Sequence, residues 1–278
     1  MQLRSLLLGG ALGLAALPLA AGLPSEARTA LARQAVGSSP SRVSNRGALP
    51  SAAARPASHF DLGVAYLRQK KYAAAEREFR RAIAAHDHTA LAYADLAGAA
   101  WELGDFVTAF RSYKQAASME PRNAAFQYGT AFEALYAGDY HASITYATAF
   151  IKLQPRAYKG YHLRFLAESR LYEPKAEVAD AAIEVRLEPN NPTAHNDYGI
   201  GLTNDKQYAK ALVELTRAIK MDPKNFQFYV NRAQTEEQDK LFRPALQDLQ
   251  TARALTHDPS IRRQLDAAIK FLQKQIKH

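Results

Sequence analysis

Four prolines divide the middle of this chain at a fixed interval of 34 residues. Each follows a stretch in which apolar residues recur at helical spacing, and together they are Pro121, Pro155, Pro189 and Pro223. Proline ends a helix because it lacks the backbone N–H and because its ring clashes with the preceding turn. A helix end that returns every 34 residues therefore predicts an array of repeated helical units.

Placing these prolines at position 32 of a 34-residue repeat divides residues 56–259 into six repeats. Positions 8, 20 and 27 hold mostly small residues, such as Gly63, Ala75 and Ala82, whereas position 24 mostly holds a bulky one, such as Phe79. Small residues are expected where two helices pack closely, so each repeat is predicted to be a pair of antiparallel helices. The six repeats are 56–89, 90–123, 124–157, 158–191, 192–225 and 226–259.

The turn between the two helices of a repeat has a signal of its own. In the second repeat, Gly104 is expected to close the first helix and Asp105 to cap the second. The fourth repeat departs most from the pattern, so its helix phase stays open at this stage. Its departures are Arg164, Phe165, Glu177 and Glu184, and the sixth repeat has Arg232 at position 7.

This register resembles the tetratricopeptide repeat family, whose unit is a 34-residue helix–turn–helix with small residues at positions 8, 20 and 27 and proline at 32. The resemblance covers about 204 of the 278 residues. It implies an all-α fold, an α-solenoid of antiparallel helix pairs that winds into a superhelix. Residues 260–278 are predicted to form a helix that caps the last repeat with one apolar stripe, made of Ile261, Leu265, Ile269, Leu272 and Ile276.

In this family the first helix of each repeat lines a concave face, so the resemblance implies a groove that binds a peptide or helix of a protein partner. An alternative is that the apolar candidates pack against each other or against the N-terminal segment, and that the acidic ones form a solvated face. The candidate partner-binding residues are Phe60, Asp61, Val64, Asp95, Trp101, Tyr128, Phe132, Leu135, His162, Asn196, Asp197 and Asn231.

Some family members clamp a C-terminal carboxylate with basic residues and an asparagine. The corresponding positions hold Phe60, Val64, Ala125 and Gly129 in this sequence. These residues cannot supply a basic clamp, so recognition of a C-terminal carboxylate is not expected.

The first residues have the layout of a secretory signal peptide. Arg4 precedes an apolar run from Leu6 to about Ala21, and small residues follow. We expect residues 1–22 to be a cleaved signal and residues 23–55 to be a disordered linker rich in Ser, Pro, Ala and Arg. The protein would then be periplasmic or secreted. Alternatives are an inner-membrane anchor through residues 5–23 and a presequence of mitochondrial type.

The net charge of +9 is confined to the two ends of the chain. Residues 1–57 and 260–278 carry all of the excess, and residues 58–259 have no net charge. A neutral repeat array argues against a nucleic-acid partner, because such binding depends on cations that neutralise phosphates. The basic termini leave contact with an anionic membrane surface open.

No motif of catalysis or of cofactor binding is found. The sequence has no cysteine, no phosphate-binding glycine loop and none of the common hydrolase or zinc-protease signatures. The histidine pair His86 and His88 is expected to lie in a surface turn, and His59 and His195 to have packing roles. We therefore predict a protein that is not an enzyme, without cofactor, metal or small-molecule substrate.

The function predicted from these features is that of an exported scaffold or adaptor. It would hold its protein partner during assembly of a cell-envelope complex, such as a pilus, secretion or polysaccharide-export apparatus. Two alternatives remain, a nucleic-acid binder of the helical-repeat kind and a cryptic hydrolase built on the same scaffold.

Overall fold

The computed structural model describes residues 58–277, and all regular structure in that range is helical. The predicted all-α class, a solenoid-type stack of antiparallel helix pairs, is confirmed for these residues. The predicted signal peptide, the linker and residues 56–57 lie outside the described part of the chain. In residues 58–277 no helix is long and apolar enough to cross a membrane.

Thirteen helices follow one another through short turns in the described residues. They are α1 (His59–Arg68), α2 (Tyr72–Ala84), α3 (Thr89–Glu102), α4 (Phe106–Met119), α5 (Ala124–Ala137), α6 (Tyr140–Leu153), α7 (Tyr158–Leu171), α8 (Pro174–Leu187), α9 (Pro192–Asn204), α10 (Tyr208–Met221), α11 (Phe226–Gln238), α12 (Phe242–Leu255) and α13 (Pro259–Lys277). Four of them, α4, α6, α8 and α10, end two residues before the prolines that set the repeat.

The chain divides into two compact bodies between Pro155 and Arg156. The described part of the N-terminal body contains α1–α6, and that of the C-terminal body contains α7–α13. Within each body every helix packs on the next one along the chain, and α1 also contacts α3, α7 contacts α9 and α9 contacts α11. This nearest-neighbour packing is how a repeat array buries its apolar faces.

Small residues lie where the two helices of a repeat approach each other, as the sequence predicts. A Cβ atom added at Gly63 would lie 2.6 Å from the ring of Phe79, the bulky residue of the same repeat. In the C-terminal body, a Cβ at Gly199 would lie 2.5 Å from Leu215 Cγ. In the first and fifth repeats, the bulky residue at position 24 therefore packs directly against the backbone at position 8.

The turn inside each repeat contains one residue with a left-handed backbone. These residues recur every 34 positions, with φ between +56° and +82°, and only two are glycines. They are Lys70, Gly104, Gly138, Tyr172, Lys206 and Lys240. The predicted Gly–Asp turn is confirmed, because Gly104 has a φ of +80° and Asp105 Oδ1 accepts a hydrogen bond of 2.9 Å from the Thr108 N–H.

The fourth repeat keeps the helix phase of its neighbours. Its helices begin at Tyr158 and Pro174, at repeat positions 1 and 17. Phe165 is buried in the core, and Arg164 donates through Nε and Nη2 to the two carboxylate oxygens of Asp180, each over 2.7 Å. The sixth repeat has an equivalent pair, Arg232 and Asp248. Each arginine that breaks the sequence pattern therefore pairs with an aspartate on the other helix of its repeat.

The last helix, α13, covers the apolar side of the pair α11–α12. Leu265 and Leu272 are fully buried, and they belong to one core cluster with Val230 and Leu249. The opposite side of α13 carries the exposed residues Arg263, Lys270 and Lys274. The helix is therefore amphipathic, and its apolar side faces the repeat before it.

Candidate functional site

Two of the predicted groove residues in the N-terminal body, Trp101 and Phe132, contact each other with ring centroids 5.2 Å apart. Phe106 packs on Trp101 at 4.8 Å, and Tyr136 lies edge-on to the same indole at 4.5 Å. We call Trp101, Phe106, Phe132 and Tyr136 the aromatic cluster. It joins the C-terminal end of α3, the first residue of α4 and the second half of α5.

The aromatic cluster is partly open to solvent. Phe106 is 39% exposed, and its sequence neighbours Val107 and Leu103 are 53% and 46% exposed. Trp101, Phe132 and Tyr136 are half-buried. A partly exposed group of aromatic residues is typical of a surface that contacts another protein, since large rings bury much apolar area at little cost in side-chain entropy.

The other candidates of the N-terminal body are packed within it. Phe60 stacks on the His88 ring at 4.8 Å and, with Val64, packs on the core around Phe79. Leu135 is buried. For Phe60, Val64 and Leu135, the alternative of plain packing describes their positions better than a groove does.

Three further candidates in this body differ in exposure. Tyr128 lies 5.3 Å from the Phe150 ring, and burial raises the pKa of its hydroxyl to about 12. Asp95 is buried, whereas Asp61 is exposed and lies within hydrogen-bonding distance of the Ser58 hydroxyl, at the start of α1. The predicted acidic line is therefore not a uniform solvated face.

Sequence reasoning missed Phe106 and Tyr136. Phe106 lies on the second helix of its repeat, whereas the predicted groove residues lie on first helices, and Tyr136 follows Leu135, the last candidate on α5. The available signal was the density of aromatic residues around the turn from α3 to α4 and its counterpart one repeat later.

The predicted groove residues of the C-terminal body form one polar network. His162 Nδ1 lies 2.8 Å from Asp197 Oδ2. Asn196 Nδ2 donates to Asp197 Oδ1 over 3.2 Å, and Asn231 Nδ2 donates to Asn196 Oδ1 over 2.7 Å. Side chains from α7, α9 and α11, which are far apart in sequence, thus meet in a single chain of contacts.

Two more side chains complete this site. Glu184 Oε2 lies 3.4 Å from His162 Nδ1, and Tyr158 Oη lies at the same distance from that nitrogen. The Tyr158 ring stacks on the imidazole at 5.5 Å with an interplanar angle of 16°. We call Tyr158, His162, Glu184 and Asp197 the buried polar cluster.

Burial and charge act in opposite directions on the ionisable groups of this cluster. Burial by itself would lower the pKa of His162, but the adjacent Asp197 and Glu184 carboxylates raise it well above its usual range. Burial raises the pKa of the Glu184 carboxyl. Burial and the same two carboxylates raise the pKa of Tyr158, so its hydroxyl stays protonated at neutral pH.

The sequence contained a signal for Glu184 that was interpreted only as a weak repeat. Position 27 holds alanine in four of the other five repeats, and a buried glutamate there needs polar partners. Those partners come from positions 1 and 5 of the same repeat and position 6 of the next, and the fold alone brings them together.

The other histidines singled out in the sequence have structural partners. Asp87, in the turn between α2 and α3, contacts both the start of α1 and His88. Its Oδ2 accepts a 3.2 Å hydrogen bond from the Phe60 N–H, and its Oδ1 lies 2.7 Å from His88 Nδ1. His195 is buried between Glu214 Oε2 at 2.6 Å and the Pro189 carbonyl at 2.9 Å. The first site is a surface turn, and the second is a satisfied core histidine.

A family model described as tetratricopeptide repeat matches residues 60–124, from α1 to the start of α5. Residues 60–124 are therefore similar in sequence to tetratricopeptide repeats, and the described helices follow one another with the 34-residue period of such repeats. Repeats of this kind form a protein-interaction scaffold, and the half-exposed aromatic cluster lies in or next to the segment that the family model matches. No curated protein matches this chain in sequence.

Solved tetratricopeptide repeat structures are similar to it in fold. A protein from Parabacteroides merdae has a TM-score of 0.57 at 13% identity, covering 90% of this chain and 91% of its own. MamA from Desulfovibrio magneticus RS-1 has a TM-score of 0.55 at 17% identity, covering 60% of this chain and 94% of its own. YrrB, described as a TPR protein with an unusual peptide-binding site, has a TM-score of 0.52 at 18% identity, covering 66% of this chain and 95% of its own. At these identities the likeness establishes the fold alone.

Proposed function

We propose that this protein is an exported, non-enzymatic adaptor whose tetratricopeptide repeats hold an apolar peptide or helix of a protein partner. The aromatic cluster is the observation that carries the proposal. We further propose that the partner belongs to a cell-envelope complex under assembly, such as a pilus, secretion or polysaccharide-export apparatus.

The composition of the cluster supports a protein partner of apolar character. Tryptophan and tyrosine are enriched among the residues that contribute most to binding free energy at protein interfaces. Leu103 and Val107 add exposed aliphatic surface at the same turn. The partner segment that fits such a surface is an amphipathic helix or an extended peptide with large apolar side chains.

The similarity to YrrB supports peptide binding on general grounds. YrrB is described as having a peptide-binding site, and it shares the repeat fold at 18% identity. The proposal of export rests on residues 1–22 and their resemblance to a signal peptide. Intact-mass measurement of the protein isolated from its native cell envelope tests this part, because cleavage removes a defined N-terminal mass.

The experiment that tests the surface uses two exposed valines as a matched pair. A photo-crosslinking amino acid replaces Val107 beside the aromatic cluster or Val213 on α10, which are 53% and 61% exposed. We expect a discrete adduct in intact cells from position 107 and none from position 213, because only the first lies at the proposed surface.

The same crosslink is then measured in the double variant Trp101→Ala and Phe132→Ala. We expect the adduct to fall by more than about tenfold, as for the loss of two interface residues of about 1–2 kcal/mol each. Circular dichroism checks that helix content is retained. If the adduct persists in a folded double variant, or forms equally from position 213, the aromatic cluster is not the binding surface.

A further inference from the structure

The buried polar cluster is not used by the proposed partner-binding function. It lies in the C-terminal body and joins three helices, with Tyr158 and His162 on α7, Glu184 on α8 and Asp197 on α9. One carboxylate oxygen of Glu184, one of Asp197 and the Tyr158 hydroxyl all lie 2.8–3.4 Å from His162 Nδ1. Such a concentration of donor atoms inside a repeat core is costly unless something compensates it.

The two carboxylates are incompletely compensated by the protein itself. Glu184 is fully buried, and neither of its carboxylate oxygens accepts a well-aligned hydrogen bond. Asp197 is 1% exposed, and its Oδ2 likewise accepts no well-aligned hydrogen bond.

The donor atoms have the arrangement of a metal-ligand set. His162 Nδ1 and one oxygen each from Glu184 and Asp197 lie within 4.8 Å of one another. Ligand atoms bound at about 2.0–2.2 Å in a tetrahedral site lie roughly 3–3.5 Å apart, so an ion needs only small side-chain shifts to enter. Tyr158 Oη, at 3.4 Å from Nδ1, stands where a fourth ligand or a bound water would interact.

Neighbouring side chains orient these donors as outer-sphere partners do in metal sites. Asn196 occupies Asp197 Oδ1 and thereby directs Oδ2 towards the imidazole, and Asn231 holds Asn196 in turn. The stacked Tyr158 ring fixes the plane of the imidazole. The side chains would therefore be largely preorganised before an ion binds.

We propose that the buried polar cluster is a binding site for one divalent transition-metal ion, of the kind represented by Zn²⁺ or Mn²⁺. One imidazole and two carboxylates suit such ions, whereas Ca²⁺ and Mg²⁺ prefer oxygen ligands alone. The protons held by the imidazole and the carboxyl groups leave to solvent on binding, and the bound set of a neutral imidazole, two carboxylates and a divalent cation is uncharged. The ion connects α7, α8 and α9.

The test is a titration of the full chain, without an affinity tag, with Zn²⁺ and with Co²⁺ as a spectroscopic probe. We expect one ion per chain, a raised melting temperature and visible Co²⁺ absorption of nitrogen and oxygen coordination. Glu184→Gln and Asp197→Asn keep the shape of each side chain but remove a ligand, and each should weaken affinity at least about 100-fold. Asn196→Ala should weaken it about 10- to 100-fold through the orientation of Asp197.

Two controls separate this site from incidental binding. Glu214→Gln alters the other buried histidine–carboxylate pair and should leave affinity unchanged. The double variant His86→Ala and His88→Ala removes the exposed histidine turn and should also leave it unchanged. Metal binding that survives in Glu184→Gln and Asp197→Asn, or that is lost in the turn variant, overturns the proposal. So does a folded wild-type chain that binds neither ion, which would identify the cluster as a buried ion pair.

Discussion

At the scale of single residues, the backbone of the turn inside each repeat is more regular than its sequence. A left-handed residue lies at position 15 of all six repeats, yet only Gly104 and Gly138 are glycines. An L-residue with a side chain pays about 1–2 kcal/mol for this conformation. The backbone of the remaining four turns is therefore strained, and packing in the rest of each repeat offsets that strain.

This cost predicts that Lys206→Gly stabilises the protein. Lys206 has a φ of +61°, and glycine adopts that conformation without steric conflict. We expect the free energy of unfolding in urea to rise by about 0.5–1 kcal/mol. The matched control is Lys210→Gly, at an exposed helical position of α10, which should lower it by about 1 kcal/mol. A decrease in both variants would mean that the turn is not strained.

At the scale of helices, an arginine, an aspartate and a glutamate fasten α7 to α8, and an equivalent group fastens α11 to α12. Arg164 pairs with Asp180, and Glu168 lies beside them at 3.7 Å from the guanidinium. Arg232, Asp248 and Glu236 repeat this arrangement 68 residues later. In both groups the arginine donates two hydrogen bonds to the aspartate, and the Oε2 atom of the buried glutamate accepts no hydrogen bond.

The glutamate makes stability depend on pH in a defined direction. Burial, reinforced by the charge of Asp180, raises the pKa of Glu168 from 4.5 to about 8, although Arg164 opposes the shift. Between pH 4.5 and 8 the folded state retains a proton that the unfolded state has lost. The contribution of this group to stability is therefore complete below pH 4.5 and is lost as pH rises towards 8.

We predict that Glu168→Gln flattens this dependence. At pH 8 the variant should be more stable than the wild type by about 1–3 kcal/mol, and at pH 5 the two should be nearly equal. Urea unfolding at a series of pH values measures the difference. Glu236→Gln should behave in the same way, since burial raises the pKa of Glu236 to about 7. Parallel pH profiles for wild type and Glu168→Gln would contradict the prediction.

At the scale of the whole molecule, charge is separated along the chain. The repeats from 58 to 259 are neutral, and the excess of positive charge lies before and after them. In the described part, that charge is on the exposed side of α13, which carries Arg263, Lys270 and Lys274. A neutral array with basic ends concentrates any attraction to an anionic surface at the ends.

This distribution predicts where salt-dependent binding originates. Replacing Arg263, Lys270 and Lys274 by glutamine should reduce retention of the full chain on vesicles rich in anionic lipid, since each cation contributes about 1 kcal/mol near such a surface. Replacing three exposed lysines of the repeats, Lys114, Lys175 and Lys220, should have little effect. Cosedimentation at two salt concentrations measures both. Equal losses in the two variants would show that net charge, and not its position, controls binding.

The repeat, its helix boundaries and its small-residue positions could be predicted from sequence, because they depend on local rules. Proline ends a helix, and a small residue is expected where a large side chain packs on the backbone, as at Gly63 and Gly199. Apolar periodicity likewise predicted the stripe of α13, since burial of one helix face requires a period of 3.6. These signals repeat six times, which makes them readable in a single sequence.

The sites depended on which side chains the fold brings together. The sequence predicted groove residues from helix phase, and tertiary packing decides their exposure: Leu135 is buried, Phe60 and Val64 are partly buried against the core, and the aromatic cluster is partly exposed. It also placed Glu184 beside His162 and Asp197, although sequence alone showed only a glutamate where an alanine was expected. The contacts of His162 with Glu184 and with Asp197 join residues 22 and 35 positions apart. Their distances follow from how neighbouring helices pack in three dimensions, and no local rule of the sequence contains that information.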